Sequence, residues 1–386
     1  MSLDPETLEQ FRGTVARYVR ERLIPAEEKV ADDDEIPQDI VNELKELGLF
    51  GMSIPEEYGG LGLGMFEEVT IAFELGYTSP AFRSLLGTNN GIGSQGLIMD
   101  GTPEQKQKYL PRLATGELIA SFALTEPDAG SDAGSVRTRA RRDGDDYILN
   151  GTKRFITNGP RAGLFTVFAR TDPNTKGSGG VSAFLVEAPN PGLTLGPKDK
   201  KMGQAGSYTC DVILEDCRVP ASALLGGGEN VGFKTAMKVL DRGRLHISAI
   251  CVGAAERLIH DSTEYAIDRK QFGEPIGEKQ LVQAMLADSR TEAYAARCMV
   301  EHTARLKDAG KNVSEEAACA KMFASEMVGR VADRAVQIHG GAGYMREYAV
   351  ERFYRDVRLF RIYEGTTQIQ QIVIANSMIR NARRNR

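Results

Sequence analysis

The spacing of apolar residues divides the chain into three zones. Over residues 3–118, runs such as "LEQFRGTVARYVRERLIPAEEKV" carry apolar side chains at intervals of three and four, which is typical of amphipathic helices. Over residues 119–228, short β-prone runs such as "LFTVFART" alternate with Asp-Gly, Asn-Gly and Pro-Gly turns. From Val231 to the end, long helical runs return, each with an apolar stripe on one face. The order of elements is therefore helices, then a sheet, then helices.

This order predicts an α+β fold with three domains. A chain of 386 residues is too long for one simple core. The turn-rich middle zone predicts a compact antiparallel sheet, as a barrel or a sandwich, and the long helices of the last zone predict a bundle. The expected domains are a helical domain at 1–118, a β domain at 119–228 and a helical bundle at 229–386. A ligand cleft is expected where helices and sheet meet.

Composition and charge exclude several classes of protein. Hydrophobic content of 41% and charged content of 26% are ordinary for a soluble globular protein. A net charge of −5 and a pI near 5.7 argue against a nucleic-acid-binding surface. The N-terminus has no secretory apolar segment and no stretch approaches a membrane span, so we expect a cytoplasmic protein. The five cysteines lack CxxC spacing and the four histidines lack HxxxH or HExxH spacing, which predicts reduced packing cysteines and no metal site.

One carboxylate stands at an unusual place in the pattern. In "FRIYEGTTQIQ" (360–370), Glu364 follows an apolar, aromatic run and directly precedes a glycine. The segment is a break between two helical runs. A glutamate there can cap a helix, lie in solvent, or act as a base held against the group that it deprotonates. These readings stay open on local pattern alone.

Four other motifs allow both a ligand role and a structural one. The loop "FALTEPDAGSDAGS" (122–135) can aim hydroxyls and amides at ring heteroatoms or a phosphate, or can be plain surface. Arginines in "LDRGRLHISA" (240–249) can meet an anion or be solvated. "HGGAGY" (339–344) is an incomplete dinucleotide fingerprint that follows a helix, so a helix end and tight turn are predicted. "DRKQFGEPI" (268–276) predicts a helix C-terminus.

Five motifs in one order resemble the acyl-CoA dehydrogenase family. They are "LTEPDAGSD", "FITN", "DRKQFGEPI", "QIHGGAGY" and "IYEGTTQIQ", and together they span nearly the whole chain. The resemblance implies an N-terminal helical domain, a middle antiparallel β domain and a C-terminal four-helix bundle. It also implies an FAD-dependent α,β-dehydrogenation of an acyl-CoA thioester to the trans-2-enoyl-CoA, with electrons passed to electron-transfer flavoprotein. The expected assembly is a homotetramer, a dimer of dimers.

The resemblance assigns FAD contacts to three parts of the chain. One part is a strand and loop on the flavin pyrimidine and ring edge, and another lies at the flavin's other face. The third part, in the C-terminal domain, contacts FAD across a subunit interface and includes a further contact at Thr366 and Gln368. The residues are Phe122, Leu124, Thr125, Ser131, Phe155, Ile156, Thr157, Arg269, Gln271, Gln337, Gly340, Gly341, Thr366 and Gln368. Family members often have tryptophan where this chain has Phe155, so ring stacking there is expected to differ.

By the same resemblance, Glu364 matches the catalytic base. A base that removes the α-proton of a thioester must lie within hydrogen-bond reach and away from water, and an apolar pocket raises its pKa. In the family the β-hydrogen leaves as hydride to the flavin. The enolate-like charge is stabilised by the ribityl 2′-hydroxyl and by the base's own backbone N–H. Gly365 leaves room for the acyl chain, and Asp241 and Arg244, with Ser131, match the CoA-binding positions.

The substrate depends on Arg83 in "SPAFRSLLGTNNG". By resemblance this stretch lines the far end of the acyl pocket, and the glutaryl-CoA branch carries an arginine in a similar setting. Arg83 either binds a distal carboxylate of the substrate or forms an internal salt bridge with one of the many glutamates, such as Glu68 or Glu74. The first case predicts a glutaryl-CoA dehydrogenase, and Tyr363 beside the base fits the members that decarboxylate. The second case predicts a plain short- or medium-chain dehydrogenase.

Four other functions compete with a dehydrogenase. An oxidase would hand electrons to oxygen, but such relatives are usually much longer. Relatives tied to the DNA-damage response carry a basic face, against which the acidic balance of this chain argues. A flavin scaffold without catalysis, or a related desulfinase, would not be expected to keep Glu364.

Overall fold

Helices fill the first part of the chain. The computed structural model describes residues 3–175, 177–384 and 386. The helices are α1 Pro5–Tyr18, α2 Ile24–Asp33, α3 Gln38–Glu46, α4 Met65–Gly76, α5 Pro80–Gly87, α6 Gln95–Asp100 and α7 Pro103–Ala114. A π-helical turn, Val19–Leu23, joins α1 to α2 just before Pro25, because a proline removes one backbone donor and its ring crowds the preceding turn. Thr102 caps α7 together with Gln105, at the start that the sequence predicts.

The middle of the chain folds into one sheet. Its strands are β1 Ala120–Ala123, β2 Arg139–Asp143, β3 Asp146–Thr157, β4 Leu164–Arg170, β5 Val181–Glu187, β6 Leu193–Leu195 and β7 Thr209–Pro220. The strand order is β1-β4-β2-β3-β7-β6, and β5 pairs with β4. The β3–β7 ladder carries register shifts, one of them between Lys153 and Ile156.

The sheet is not wholly antiparallel, which corrects the sequence-based expectation. β1 runs parallel to β4, with Ala120 opposite Leu164 and Ala123 opposite Val167. The chain leaves β1, makes the β2–β3 hairpin, and re-enters the sheet beside β1 in the same direction. A connection of that length permits parallel pairing, whereas a short turn would not.

Long helices return after the sheet. They are α8 Gly232–Asp268, α9 Gln280–Asp308, α10 Ser314–His339, α11 Ala349–Val357 and α12 Thr367–Arg384. Helices α8, α9 and α10 pack on one another, α12 packs on α10, and α4 packs on α8. A two-stranded hairpin, β8 Lys270–Gln271 and β9 Glu274–Pro275, separates α8 from α9. Glu364 lies between α11 and α12, as the break in the pattern predicts.

Helices and strands follow one another along the chain in the order that the sequence predicts. The domain boundaries at 118 and 228 stay predictions. Within the described residues, every helix is too short or too polar to cross a membrane. The same part of the chain holds no group of three or more His, Cys, Asp or Glu side chains that could bind a metal ion together. The five cysteines are free, and Cys210, Cys217 and Cys251 are buried.

Candidate active site

The turn that carries Glu364 is held in an uncommon backbone conformation. Glu364 and Gly365 both have positive φ, +56° and +87°, a region that costs a non-glycine residue about 1 kcal/mol or more. Gln370 Nε2, from the first turn of α12, donates to the carbonyl oxygens of Glu364 and Gly365 at 3.1 and 3.0 Å. The ammonium of Lys321 on α10 also donates to the Gly365 carbonyl, at 2.6 Å. These three bonds hold the turn against the bundle.

The Glu364 carboxylate points into the protein. The residue as a whole is half-buried, but its Oε2 is shielded from solvent and has no hydrogen-bond partner in the described part of the chain. Burial raises the pKa of Glu364, and the positive charges of Arg83, Arg244 and Lys321 oppose that rise. Gly243 on α8 makes room for the carboxylate, because a Cβ at that position would lie 2.5 Å from Oε2.

A small cavity lies in front of this carboxylate. Its lining residues are Glu68, Arg83, Gly87, Gly91, Ile92, Arg242, Gly243, His246 and Glu364. The structure therefore brings together Glu364 and Arg83, which the sequence singles out for different reasons. A larger cavity of about 490 Å³ lies between α7 and β7. None of the sequence-predicted site residues lines it, so the smaller cavity is the better candidate.

Arg83 is buried in this cavity wall without an anionic partner among the described residues. The residue is 5% exposed, its Nε has no hydrogen-bond partner, and no salt bridge engages its guanidinium. The predicted salt bridge of Arg83 is therefore wrong for both Glu68 and Glu74. Glu68 pairs with Arg242 and with His246 Nδ1 at 2.9 Å. Glu74 lies elsewhere, with its Oε1 2.6 Å from Arg12.

The predicted CoA-binding pair lies on α8 and flanks the cavity-lining Arg242 and Gly243. Arg244 Nη1 donates to Asp241 Oδ1 at 2.7 Å, and Ser314 Oγ donates to Asp241 Oδ2 at 2.5 Å. Arg244 is buried and its Nε has no partner. Its charge reaches Glu364, since it contributes to lowering the pKa of that carboxyl.

The residues predicted to contact the flavin ring meet at one edge of the sheet. The Arg154 backbone N–H donates to the Thr125 carbonyl at 2.8 Å, and Ser121 Oγ donates to the Thr157 carbonyl at 2.6 Å. The register shift at this point gives Phe155 a φ of +59° and leaves its side chain 58% exposed. An exposed aromatic ring beside partly exposed hydroxyls is an edge that fits a planar heterocycle. Leu124 and Ile156 are buried behind it, and Phe122 packs on Phe168 at 4.7 Å between ring centroids.

A buried ion pair anchors the loop that follows β1. Lys153 Nζ lies 2.7 Å from Glu126 Oε1 and donates to the Leu124 carbonyl at 3.1 Å. Glu126 also accepts from the backbone N–H groups of Arg137 and Thr138. Burial lowers the pKa of Lys153 to about 8, although Glu126 opposes the shift. This pair fixes both ends of the 124–138 loop, on which the exposed Ser131 lies.

The remaining predicted FAD residues lie outside the cavity. Arg269 and Gln271 are exposed in the hairpin after α8, and Gln337, Gly340 and Gly341 are exposed at the end of α10. The two helix ends touch, because the rings of Tyr265 and His339 stack with centroids 4.3 Å apart. Thr366 Oγ1 accepts from the Ile369 N–H at the start of α12, and Gln368 is exposed beside it.

Several residues of the site were missed by sequence reasoning, and three of them bear directly on Glu364 or on the cavity. Gly243 accommodates the carboxylate, Lys321 holds the Gly365 carbonyl, and His246 lines the cavity. Each lies on a long amphipathic helix, and its spacing is that of an ordinary packing position. Only the lysine gives a weak signal, because Lys321 stands within the mostly apolar run "AACAKMFA".

Family models match all three parts of the chain. The acyl-CoA dehydrogenase N-terminal domain matches residues 5–117, the middle domain 121–217 and the C-terminal domain 230–379. Acryloyl-CoA reductase (NADH) of Anaerotignum propionicum is 44% identical over 96% of this chain and 94% of its own. An acyl-CoA dehydrogenase of Bacillus subtilis is 42% identical over 96% and 97%. The caffeyl-CoA reductase-Etf complex subunit CarC of Acetobacterium woodii is 41% identical over 95% and 97%.

Solved structures agree with the whole fold. Butyryl-CoA dehydrogenase of Megasphaera elsdenii superposes with a TM-score of 0.94 at 36% identity, over 98% of this chain and 100% of its own. Glutaryl-CoA dehydrogenase of Mycobacterium smegmatis gives 0.91 at 34%, over 97% and 95%. The prolyl acyl carrier protein oxidase AnaB gives 0.93 at 35%, over 98% and 100%. An oxidase of matching length therefore exists, so chain length alone does not exclude an oxidase.

Proposed function

The chain belongs to the acyl-CoA dehydrogenase family, flavin-dependent oxidoreductases that act on CH–CH bonds, and from this we propose that it oxidises an acyl-CoA thioester to the trans-2-enoyl-CoA with Glu364 as the base. The observation that carries the proposal is the Glu364 Oε2, shielded and unpartnered at the wall of a cavity. A buried acceptor without a partner is costly in a structural role. In a complex with the thioester, this oxygen would accept the proton of the α-C–H.

The surroundings of Glu364 suit proton abstraction. Burial raises the pKa of its carboxyl and so makes the carboxylate a stronger base. Arg83, Arg244 and Lys321 oppose that rise, which favours the ionised, proton-accepting form at neutral pH. Lys321 and Gln370 hold the turn through its carbonyls, so the carboxylate is positioned before substrate arrives.

Charge that develops on the thioester oxygen needs hydrogen-bond donors. No hydrogen bond within the described part of the chain engages the Glu364 backbone N–H, so this group is free to donate to an oxyanion. Residues of the β1–β3 edge, chiefly Thr125, Ser131, Phe155 and Thr157, would hold the isoalloxazine ring of FAD. Bound FAD would supply the acceptor for the β-hydrogen, as a hydride.

Glu364→Gln tests the base assignment. The amide keeps the shape of the side chain and removes its basicity, so FAD content and substrate binding should persist. Dehydrogenation, followed by reduction of a dye acceptor across a panel of CoA esters, should fall by about 10²- to 10⁴-fold. Turnover near the wild-type rate would refute the assignment.

Arg83 favours a second candidate, a dicarboxylyl-CoA such as glutaryl-CoA. Its guanidinium is buried, lacks a carboxylate partner and lines the same cavity as Glu364. A distal carboxylate on the acyl chain would pair with it in bidentate fashion. Losing such a bond costs roughly 1.5–3 kcal/mol, or about 10- to 150-fold in kcat/KM.

The test compares glutaryl-CoA with butyryl-CoA and hexanoyl-CoA for wild type and Arg83→Met. We expect wild type to prefer glutaryl-CoA and the variant to lose that preference, with CO2 released if Tyr363 marks a decarboxylating enzyme. If wild type prefers the monoacyl esters and the variant changes nothing, the enzyme is a short- or medium-chain dehydrogenase.

The electron acceptor is proposed to be electron-transfer flavoprotein. CarC, named as a subunit of an Etf complex, supports this, whereas AnaB, named as an oxidase, supports oxygen. Substrate-reduced enzyme mixed with oxygenated buffer should therefore reoxidise slowly and release little peroxide. Fast reoxidation with one peroxide per enoyl-CoA would identify an oxidase.

A homotetramer is the proposed assembly, with Arg269 and Gln337 reaching the FAD of a neighbouring subunit. The surface near these residues supports it, because Phe272 and Tyr344 are 95% and 84% exposed, which is unusual for aromatic side chains outside an interface. Light scattering on the FAD-loaded protein checks the mass. An FAD-replete monomer would contradict the proposal.

A further inference from the structure

His246 lines the cavity, and one of its ring nitrogens makes no hydrogen bond within the described residues. It lies on α8, is 3% exposed, and its Nδ1 lies 2.9 Å from Glu68 Oε1. Its Nε2 is buried and has no hydrogen-bond partner among the residues that the structure describes. Arg83 Nε, in the wall of the same cavity, is also buried and unpartnered. Two unsatisfied polar groups of complementary kind, a donor and an acceptor, therefore line one small space.

The pairing with Glu68 fixes the tautomer of this histidine. Burial alone would raise the pKa of Glu68, but Arg242 and the bond to His246 lower it to about 2, so the carboxylate is ionised and can only accept. His246 Nδ1 must therefore donate. In the neutral ring, Nε2 then carries a lone pair that faces the cavity. Burial, helped by Arg83, lowers the pKa of His246, which keeps the ring neutral at pH 7 in the free protein.

Charged groups face the ring from several elements. Glu68 faces it from α4, Arg83 from α5 and Arg242 from α8, while Glu364 lines the same cavity from the turn before α12. Arg244 and Lys321 act on Glu364 from α8 and α10. A ligand carboxylate held by Arg83 in this cavity would bring its oxygens against the Nε2 lone pair, and a proton on Nε2 would replace that repulsion by a hydrogen bond.

We propose that Arg83 and His246 together form the subsite for the far carboxylate of a dicarboxylyl-CoA, and that His246 takes up one proton from solvent when this carboxylate binds. The proton goes to Nε2, which becomes a donor to the ligand, while Nδ1 keeps its bond to Glu68. No other bond is made or broken. The inference rests on the dicarboxylyl-CoA candidate proposed above and adds the residue that completes its site.

Proton uptake makes recognition of the acyl end depend on pH. The bound carboxylate raises the pKa of His246 above its value in the free protein, so the complex holds a proton that the free protein lacks. Affinity for the dicarboxylyl chain then rises as pH falls between those two pKa values, by up to about tenfold per pH unit. A chain that ends in a methyl group gains nothing from the proton, and its affinity should not follow this trend.

The experiment counts protons directly on the FAD-loaded enzyme. Isothermal titration calorimetry at pH 7 is run in two buffers of different ionisation enthalpy, and the difference in heat gives the protons taken up per ligand. The probes carry sulfur in place of the β-carbon, so no hydride can leave. They are 3-thiaglutaryl-CoA and 3-thiapentanoyl-CoA, which differ only in the end group. We expect the first to take up close to one proton more than the second.

Two variants locate the proton. In His246→Asn, the amide nitrogen can still donate to Glu68, so the extra uptake should vanish while 3-thiapentanoyl-CoA binds as before. His260→Asn makes the same change at an exposed position of the same helix and should leave the uptake intact. Equal uptake for both probes in the wild type, or uptake that survives in His246→Asn, would overturn the inference. Neither result touches the role of Glu364, which is tested by turnover.

Discussion

Gly243→Ala is the most direct probe of how tightly the structure holds the predicted base. Position 243 lies inside α8, where alanine is intrinsically better than glycine by about 1 kcal/mol. The added methyl would lie 2.5 Å from Glu364 Oε2, 3.0 Å from Cδ and 3.2 Å from Oε1. Every near neighbour belongs to the end of one flexible side chain, so the helix can stay while the carboxylate moves.

The size of that movement sets the expected loss. An oxygen and a methyl carbon need about 3.3–3.5 Å between them, so the carboxylate must retreat by about 1 Å. A misplacement of about 1 Å can cost a reaction about 10²-fold in rate. We therefore expect kcat to fall by about 10²-fold, with FAD content unchanged and the melting temperature close to that of wild type.

The assay is dye-coupled turnover with the CoA ester that wild type uses best, alongside thermal unfolding. Gly13→Ala is the matched control, because Gly13 also lies inside a helix and its added methyl meets no atom within 4 Å. That variant should keep full activity. If Gly243→Ala stays within about twofold of wild type in kcat while folding normally, Glu364 is not held in the position that the reaction requires.

Two further predictions concern buried charges. Lys321→Met removes a cation that opposes the raised pKa of Glu364, so the acidic limb of the kcat/KM profile should move to higher pH; an unchanged profile would contradict this. Burial raises the pKa of Asp356 to about 6, so its contribution to stability is lost as pH rises through that value. Asp356→Asn, which can still accept from the Gln204 N–H, should gain up to about 3 kcal/mol of unfolding free energy relative to wild type between about pH 4 and pH 7. Parallel denaturation midpoints at both pH values would refute this.

Hydrophobic periodicity was sufficient for most elements because burial of one face forces a period on the sequence. The amphipathic runs at 232–270, 278–310 and 314–340 predict α8, α9 and α10 and match their bounds closely, since each helix buries an apolar stripe. β2 escaped prediction because its residues, "RARRD", are mostly polar. It belongs to the sheet through its ladder with β3, and pairing across a hairpin leaves little trace in the strand's own pattern. Parallel pairing of β1 with β4 depends on topology in the same way.

Some residues of the candidate site could be predicted from the sequence and others could not. Glu364 could be singled out because it interrupts a local pattern and sits in a motif. Gly243 could not be singled out, because the group that requires a glycine there is the side chain of Glu364. That residue is 121 positions away, and only folding brings it near. For Arg83 the sequence allowed an internal salt bridge with any of many glutamates, and the two given as examples, Glu68 and Glu74, are engaged by other cations. Pairing of buried charges is a three-dimensional choice among many carboxylates, which sequence spacing does not encode.

The relatives include both reductases and dehydrogenases, and the geometry at Glu364 explains how one site serves both directions. A base that takes the α-proton in oxidation is, by microscopic reversibility, the acid that returns it in reduction. Burial raises the pKa of Glu364 while Arg83, Arg244 and Lys321 oppose the rise, which suits a group that must hold and release a proton with equal ease. If Glu364 is the base, as proposed, direction would be set by the reduction potential of the electron partner. The selectivity of this chain would then lie at the other end of the cavity, where we propose that Arg83 and His246 meet the acyl tail.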